Sequence, residues 1–105
     1  MTIARERHGN VEVIRIDRPE AKNAVNDVVA QGLEAALDEA EHDADVRVVV
    51  LTGTGDTFSA GADLKMIAAG KANLFHTARG GFGGLVKRDF SKPLIAAVNG
   101  TAVAG

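Results

Sequence analysis

The 105-residue chain has no cysteine, so neither a disulfide framework nor thiolate chemistry is open to it. That absence suits a reducing cytosol and sets the expectation of a cytoplasmic protein. It has only two prolines and lacks any Pro/Ser-rich linker, internal repeat or low-complexity tract. Its length fits one domain, near the small end for a self-sufficient core. Neither sign of charge dominates: 12 Lys and Arg against 14 Asp and Glu leave a net charge of −2, which argues against a nucleic-acid-binding surface. Long hydrophobic runs are missing. The continuous apolar stretches, residues 48–51 and 94–98, are far too short to span a bilayer. Behind the charged N-terminus there is no apolar segment of the kind a signal peptide needs. Neither a nucleic acid nor a membrane is expected as a partner.

Several chemistries are excluded by what their spacing would require. No His, Asp and Glu cluster has metal-ligand spacing, so no metal site is expected. The glycine-rich stretches contain no phosphate loop ending in Gly-Lys-Ser/Thr. In Gly53-Thr54-Gly55-Asp56-Thr57-Phe58 a phenylalanine stands where a dinucleotide fingerprint has its third glycine, and in Gly81-Phe82-Gly83-Gly84-Leu85-Val86 a valine does. There is no serine elbow of the Gly-x-Ser-x-Gly type. Between Phe90 and Gly105 there is not one Asp, Glu or His. His76 is the one titratable group near the central loop that merits attention as an acid or base, and a surface role explains it more simply. His8 reads as a solvated turn residue.

The pattern that is present is α/β. Residues 2–7 and 10–17 alternate like two strands around a His8-Gly9-Asn10 turn, with Ile3, Val11 and Val13 inward. Pro19 ends the second strand. Asn26 is a helix N-cap with Asp27 in the first turn, and Val29, Leu33, Ala36, Leu37 and Ala40 form a helical apolar stripe. Glu34, Asp38, Glu39 and Glu41 lie mostly off it and read as a solvated face. His42 suits the carbonyl end of that helix. Residues 46–51 are almost wholly β-branched and predict a central strand covered on both faces. Together these elements predict a ββα unit with a crossover helix. Residues 64–72 predict a short helix stopped by Gly70. Residues 74–89 approximate a helical stripe weakened by four glycines and predict a mobile, partly helical flap. Residues 94–98 predict another buried strand, and Asn99-Gly100 the turn after it.

The whole chain is organised around residues 52–65, where an apolar strand runs into a loop of small residues and then into a helix start capped by Asp63. A strand, a small-residue loop and free N–H groups make an oxyanion-binding corner. Phe58-Ser59-Ala60-Gly61-Ala62-Asp63-Leu64-Lys65 resembles the signature of the crotonase, or enoyl-CoA hydratase/isomerase, superfamily. Arg18-Pro19-Glu20-Ala21-Lys22-Asn23-Ala24 resembles its early CoA-contacting loop. Lys92-Pro93-Leu94-Ile95-Ala96-Ala97-Val98-Asn99-Gly100 resembles the strand and turn before its second oxyanion donor. Any one of these is weak alone; in family order they are specific.

The resemblance implies a crotonase-like (ClpP/crotonase) spiral of ββα units, of which residues 1–105 would be the N-terminal portion, truncated before the C-terminal part. It implies an acyl-CoA thioester as substrate, with coenzyme A part of that substrate and no separate cofactor. The backbone N–H groups of Ala62 and Gly105 would hold a thioester enolate. Lys22, Ala24, Ala60, Asp63, Leu64 and Lys65 would line the CoA and acyl path, with Lys65 and Lys22 placed to meet a phosphate. The simplest reaction is hydration of a 2-enoyl-CoA, with isomerisation as runner-up. The family's proton-transferring glutamates lie beyond the glycine-rich turn, and its members form trimers or hexamers. A competing reading takes the chain as a non-catalytic fragment or CoA-thioester-binding remnant, distinguished by whether the downstream DNA continues as Gly-Gly-x-x-Glu.

Overall fold

The computed structural model describes residues 2–105. Strand β1 (Ile3–His8) pairs antiparallel with β2 (Val11–Ile16) around a tight turn at Gly9-Asn10. Helix α1 (Asp27–His42) then crosses back, so that β3 (Val48–Gly53) lies parallel to β2. The chain continues through β4 (Thr57–Ser59), α2 (Leu64–Ala68) and a two-rung hairpin of β5 (His76–Thr77) and β6 (Gly81–Phe82). It closes with β7 (Leu94–Ala96) and β8 (Thr101–Ala102). The main sheet runs β1-β2-β3-β7, with β7 parallel to β3. A second, two-stranded sheet joins β4 to β8 in parallel. The ββα reading therefore holds.

Helix α1 forms where its sequence directs. The Asn26 side chain accepts from the Val29 N–H at 2.9 Å, which satisfies a first-turn donor that has no intrahelical partner. All five stripe residues are buried, and they pack with Ile14, Ile16, Val49 and Leu51 in one core. At the other end His42 Nδ1 donates to the Asp38 carbonyl at 2.8 Å. Lys92 adds a cap from outside the helix, with Nζ donating to the Ala40 and Asp43 carbonyls at 2.8 and 2.7 Å, where a cation complements the helix dipole.

Register decides which face of the sheet that core occupies. Ile14, Leu51 and Ala96 align across three strands on the α1 side; Val13, Val50 and Ile95 align on the opposite side. Ile3 is buried as expected, but the inward residues of β2 are Ile14 and Ile16, while Val11 and Val13 lie on the far face, half-buried. The alternation has the right period and the opposite phase. A buried carboxylate, Glu12, shares the core face and disguises that phase; Arg5 and Arg7 neutralise it. The far face is also why β3 is covered fully on one side only. Residues 94–98 are likewise not buried, with Ile95 52% exposed and Val98 58%.

Residues 74–89 are neither a helix nor a loose flap. One helical turn (Ala72–Phe75), the β5–β6 hairpin and a run of turns fold tightly over α1. Gly84 has φ +71, and a Cβ there would fall 2.5 Å from the Ala30 carbonyl, so this glycine serves close approach to α1. The acidic residues of α1 hold this segment and are not simply solvated. Glu34 is buried and accepts from the Arg79 N–H at 3.1 Å. Asp38 and Glu41 both bind Arg88 Nη2, at 2.7 and 2.8 Å. Helix α2 begins where expected and ends at Ala68, just before Gly70 with its φ of +73.

Candidate functional site

Two loops run side by side, one between β2 and α1 and the other between β4 and α2. Ala60 N–H donates to Lys22 O at 3.0 Å, Val25 N–H to Gly61 O at 2.7 Å and Asp63 N–H to Val25 O at 2.9 Å. These rungs stitch residues 22–25 to 60–63. Asn23 supports both loops from beneath: its Nδ2 donates to the Thr54 and Thr57 carbonyls at 3.0 and 2.7 Å, and its Oδ1 accepts from the Arg18 N–H at 2.9 Å. Ser59 Oγ donates to Asn23 O at 2.8 Å and accepts from the Gly61 N–H at 3.0 Å. Asn99 braces the other side, accepting from the Gly53 N–H at 3.1 Å and donating to Gly55 O at 2.8 Å.

On one side of this stitched wall is a groove of about 330 Å³ that brings together Lys22, Ala24, Ala60, Asp63, Leu64 and Lys65, with Ala62 among them. Lys22 and Lys65 are exposed there, presenting two ammonium groups. Asp63 is buried and committed. Its Oδ2 accepts from Arg18 Nη1 at 2.7 Å and its Oδ1 from the Lys65 N–H at 2.9 Å, which caps α2. The hydrogen bond from Arg18 holds the Asp63 carboxyl below the usual carboxylate range against the opposing effect of burial. Asp63 is therefore a fixed anion that positions the loop.

On the other side is an apolar cavity of about 320 Å³, whose lining includes Ile16, Leu51, Phe58 and Phe82 together with Gly61 and Gly105. No Asp, Glu or His lines it. Gly61 has φ +83, and a Cβ on it would lie 2.1 Å from the Ala104 carbonyl oxygen. That contact makes glycine a requirement at 61. The neighbouring Ala62 N–H donates to the same oxygen at 3.1 Å. The Ala62 N–H of the groove is thus occupied by the carbonyl oxygen of Ala104, which lines the cavity beside Gly105. Ala104 is in the left-handed region at φ 51.

Arg18, Asn23, Ser59, Asn99 and Phe82 are the supporting residues that sequence reasoning did not single out. Arg18, Asn23, Ser59 and Asn99 lie within the three family motifs, and the polarity of Asn23 amid small residues was a usable signal. The Arg18–Asp63 pair spans 45 positions and had none. His76 is exposed and outside the cavity lining, though its ring stands edge-on to Phe82 at 6.0 Å between centroids. Among the described residues no group of three or more His, Asp or Glu is arranged to hold a metal ion, and no helix is long and apolar enough to cross a membrane.

This mixed ββα layer, with small-residue loops beside its strands, matches solved structures of the crotonase fold. The carnitinyl-CoA hydratase of Mycobacterium avium superposes with a TM-score of 0.87 at 51% identity, over 96% of this chain and 40% of that one. The chain belongs to the enoyl-CoA hydratase/isomerase family, which it matches over residues 6–105. A putative enoyl-CoA hydratase of Thermus thermophilus is 41% identical across 92% of this chain and 40% of its own length. A carnitinyl-CoA dehydratase of Citrobacter koseri is 42% identical across 94% and 38%. The chain therefore spans about 40% of the length of the relatives it matches.

Proposed function

We propose that this chain supplies the CoA groove and the oxyanion-binding corner of an enzyme acting on acyl-CoA thioesters, most simply one that hydrates 2-enoyl-CoA. The observation that carries this reading is the position of the Ala62 N–H, donating to a carbonyl oxygen at 3.1 Å where a polar groove meets an apolar cavity. A thioester lies across such a junction with its CoA arm in the groove, its acyl tail in the cavity and its carbonyl at the donor. Lys22 and Lys65 meet phosphate charge, and coenzyme A arrives as part of the substrate, so the reaction calls for no separate cofactor.

In hydration, the oxygen of water bonds to C3 and the C2=C3 pair moves onto C2 and the thioester carbonyl, giving an enolate. One proton leaves the water and one is delivered to C2, so the product is the 3-hydroxyacyl thioester. Charge gathers on the thioester oxygen, and a donor aimed there lowers the barrier; removing one such donor costs about 10²–10³ in rate. The substrate oxygen has to displace Ala104 O from the Ala62 N–H, and the Gly105 N–H is the second donor that the family resemblance implies. The proton carriers are outside the cavity lining, which holds no acid or base. Isomerisation uses the same enolate with differently placed acids.

The test is loss of enoyl absorbance with crotonyl-CoA, using this chain and the same chain extended through its downstream coding sequence. Hydration by the extended protein, slowed about 10²–10³-fold by Ala62→Pro at unchanged circular dichroism, is the expected result. An Ala62→Pro variant as fast as the parent would remove Ala62 from the chemistry.

A further inference from the structure

Phe82 lies where the apolar cavity meets the Ala104–Gly105 end of the carbonyl corner. It lines that cavity, and its ring also faces Gly105, where a Cβ would fall 2.8 and 3.0 Å from Cε2 and Cζ. The ring is braced on its far side by the buried Phe75, edge-to-face at 5.9 Å between centroids. The backbone carrying it is fixed as well. The β5–β6 rungs pair His76 with Phe82 and Thr77 with Gly81, and the Gly83 N–H donates to Phe75 O at 2.7 Å. Its flanking residues, Gly81 and Gly83, have no side chains, so Phe82 is the side chain of this hairpin that reaches the cavity, with Leu85 and Val86 lining it further along the chain. The segment is tied to α1 through the Arg79 N–H on Glu34 and the approach of Gly84 to the Ala30 carbonyl, so the ring has a rigid mount.

A rigid ring beside the carbonyl point constrains the first carbons of an acyl group more than its far end. We propose that Phe82 is a specificity-determining residue, whose ring narrows the passage from the carbonyl corner to the cavity. The site then accepts straight-chain acyl groups and rejects those branched at the carbon next to the carbonyl. This rests on the acyl-CoA reading above. An added methyl group against a fixed apolar wall changes selectivity by about 10–200-fold. Phe82 is the side chain that meets Gly105, and it is not among the groove residues, so shortening it removes the selectivity without touching the groove.

The experiment is isothermal titration of the purified protein with free coenzyme A, butanoyl-CoA and 2-methylbutanoyl-CoA, for the parent, Phe82→Ala and Phe82→Leu. The parent is expected to bind butanoyl-CoA at least tenfold more tightly than the branched thioester. Phe82→Ala brings that ratio close to one, Phe82→Leu gives a value between, and coenzyme A binds all three proteins alike. Phe82→Leu keeps an apolar side chain and serves if the alanine variant fails to fold. A parent ratio above tenfold that persists in the variants would overturn the role of Phe82, as would a parent that makes no distinction. Absence of binding for coenzyme A and both thioesters would instead sink the acyl-CoA reading beneath it.

Discussion

Asn23 is fully buried at φ 56, with Nδ2 on two carbonyls, Oδ1 on the Arg18 N–H and its own carbonyl on Ser59 Oγ. Asn23→Ala leaves three backbone groups without that partner, in a conformation alanine disfavours. Thr57 O keeps the Asn99 Nδ2 donor at 3.3 Å, while the half-buried Thr54 O and Arg18 N–H lose theirs at about 1 kcal/mol each and the left-handed backbone adds about 1 more, so a loss of about 3 kcal/mol is expected. A urea melt should show the midpoint falling with its slope unchanged. Arg18→Met acts on the same loop by removing the partner of a buried carboxylate. The hydrogen bond from Arg18 keeps the folded Asp63 below its ordinary value, so the unfolded chain takes up a proton first as pH falls. The stabilisation from this pair is present above the ordinary Asp range and disappears as pH drops through the lower folded value; Arg18→Met should flatten that part of the stability–pH curve. The Asn26 and Asp63 caps were legible in sequence because a cap acts within three residues. The Arg18–Asp63 pair was not, because nothing local to either residue names the other.

Helix α1 and the glycine-rich segment across it are a single mechanical unit. Glu41 accepts from the Ser91 N–H at 2.8 Å and from Arg88 Nη2 at 2.8 Å. The Ser91 backbone N–H is the main cause, with the Ser91 hydroxyl and then Arg88 behind it, of a Glu41 carboxyl lowered from 4.5 to about 2. A lowered folded value means stability fully present above pH 4.5 and lost towards about pH 2. Glu41→Gln should remove that acid-side dependence, read from urea midpoints across the window; an unchanged dependence would show that other carboxylates carry it. The apolar stripe of α1 was readable because burial repeats with the helical period. The acidic face was misread because carboxylates that clamp a distant arginine look, in sequence, like carboxylates that meet water. The glycines of residues 80–84 signalled broken helix correctly. The use of Gly84 in close approach to α1 became visible only when α1 was beside it.

At the scale of the whole molecule, one face of the main sheet is covered by α1 and the other presents Val13, Val50 and Ile95 in a row. With Ile95 52%, Val98 58% and Val103 54% exposed, this chain presents apolar surface that favours association. Sedimentation velocity should show concentration-dependent association that Ile95→Lys reduces, while a monomeric parent at all concentrations would contradict it. The sequence by itself determined the ββα order, the α1 stripe, the helix caps and the family, because each is written in local periodicity or in contiguous motifs. The six residues that the family resemblance assigns to a CoA path lie with Ala62 along one groove. The tertiary structure decided the phase of β2, the duty of the acidic face, the seat of Ala104 O on the Ala62 donor and the station of Phe82 beside Gly105. Those depend on register and on contacts between residues tens of positions apart. A one-residue change of phase exchanges the two faces of a strand while leaving its alternation intact; only the pairing with β3 and the packing of α1 distinguish them.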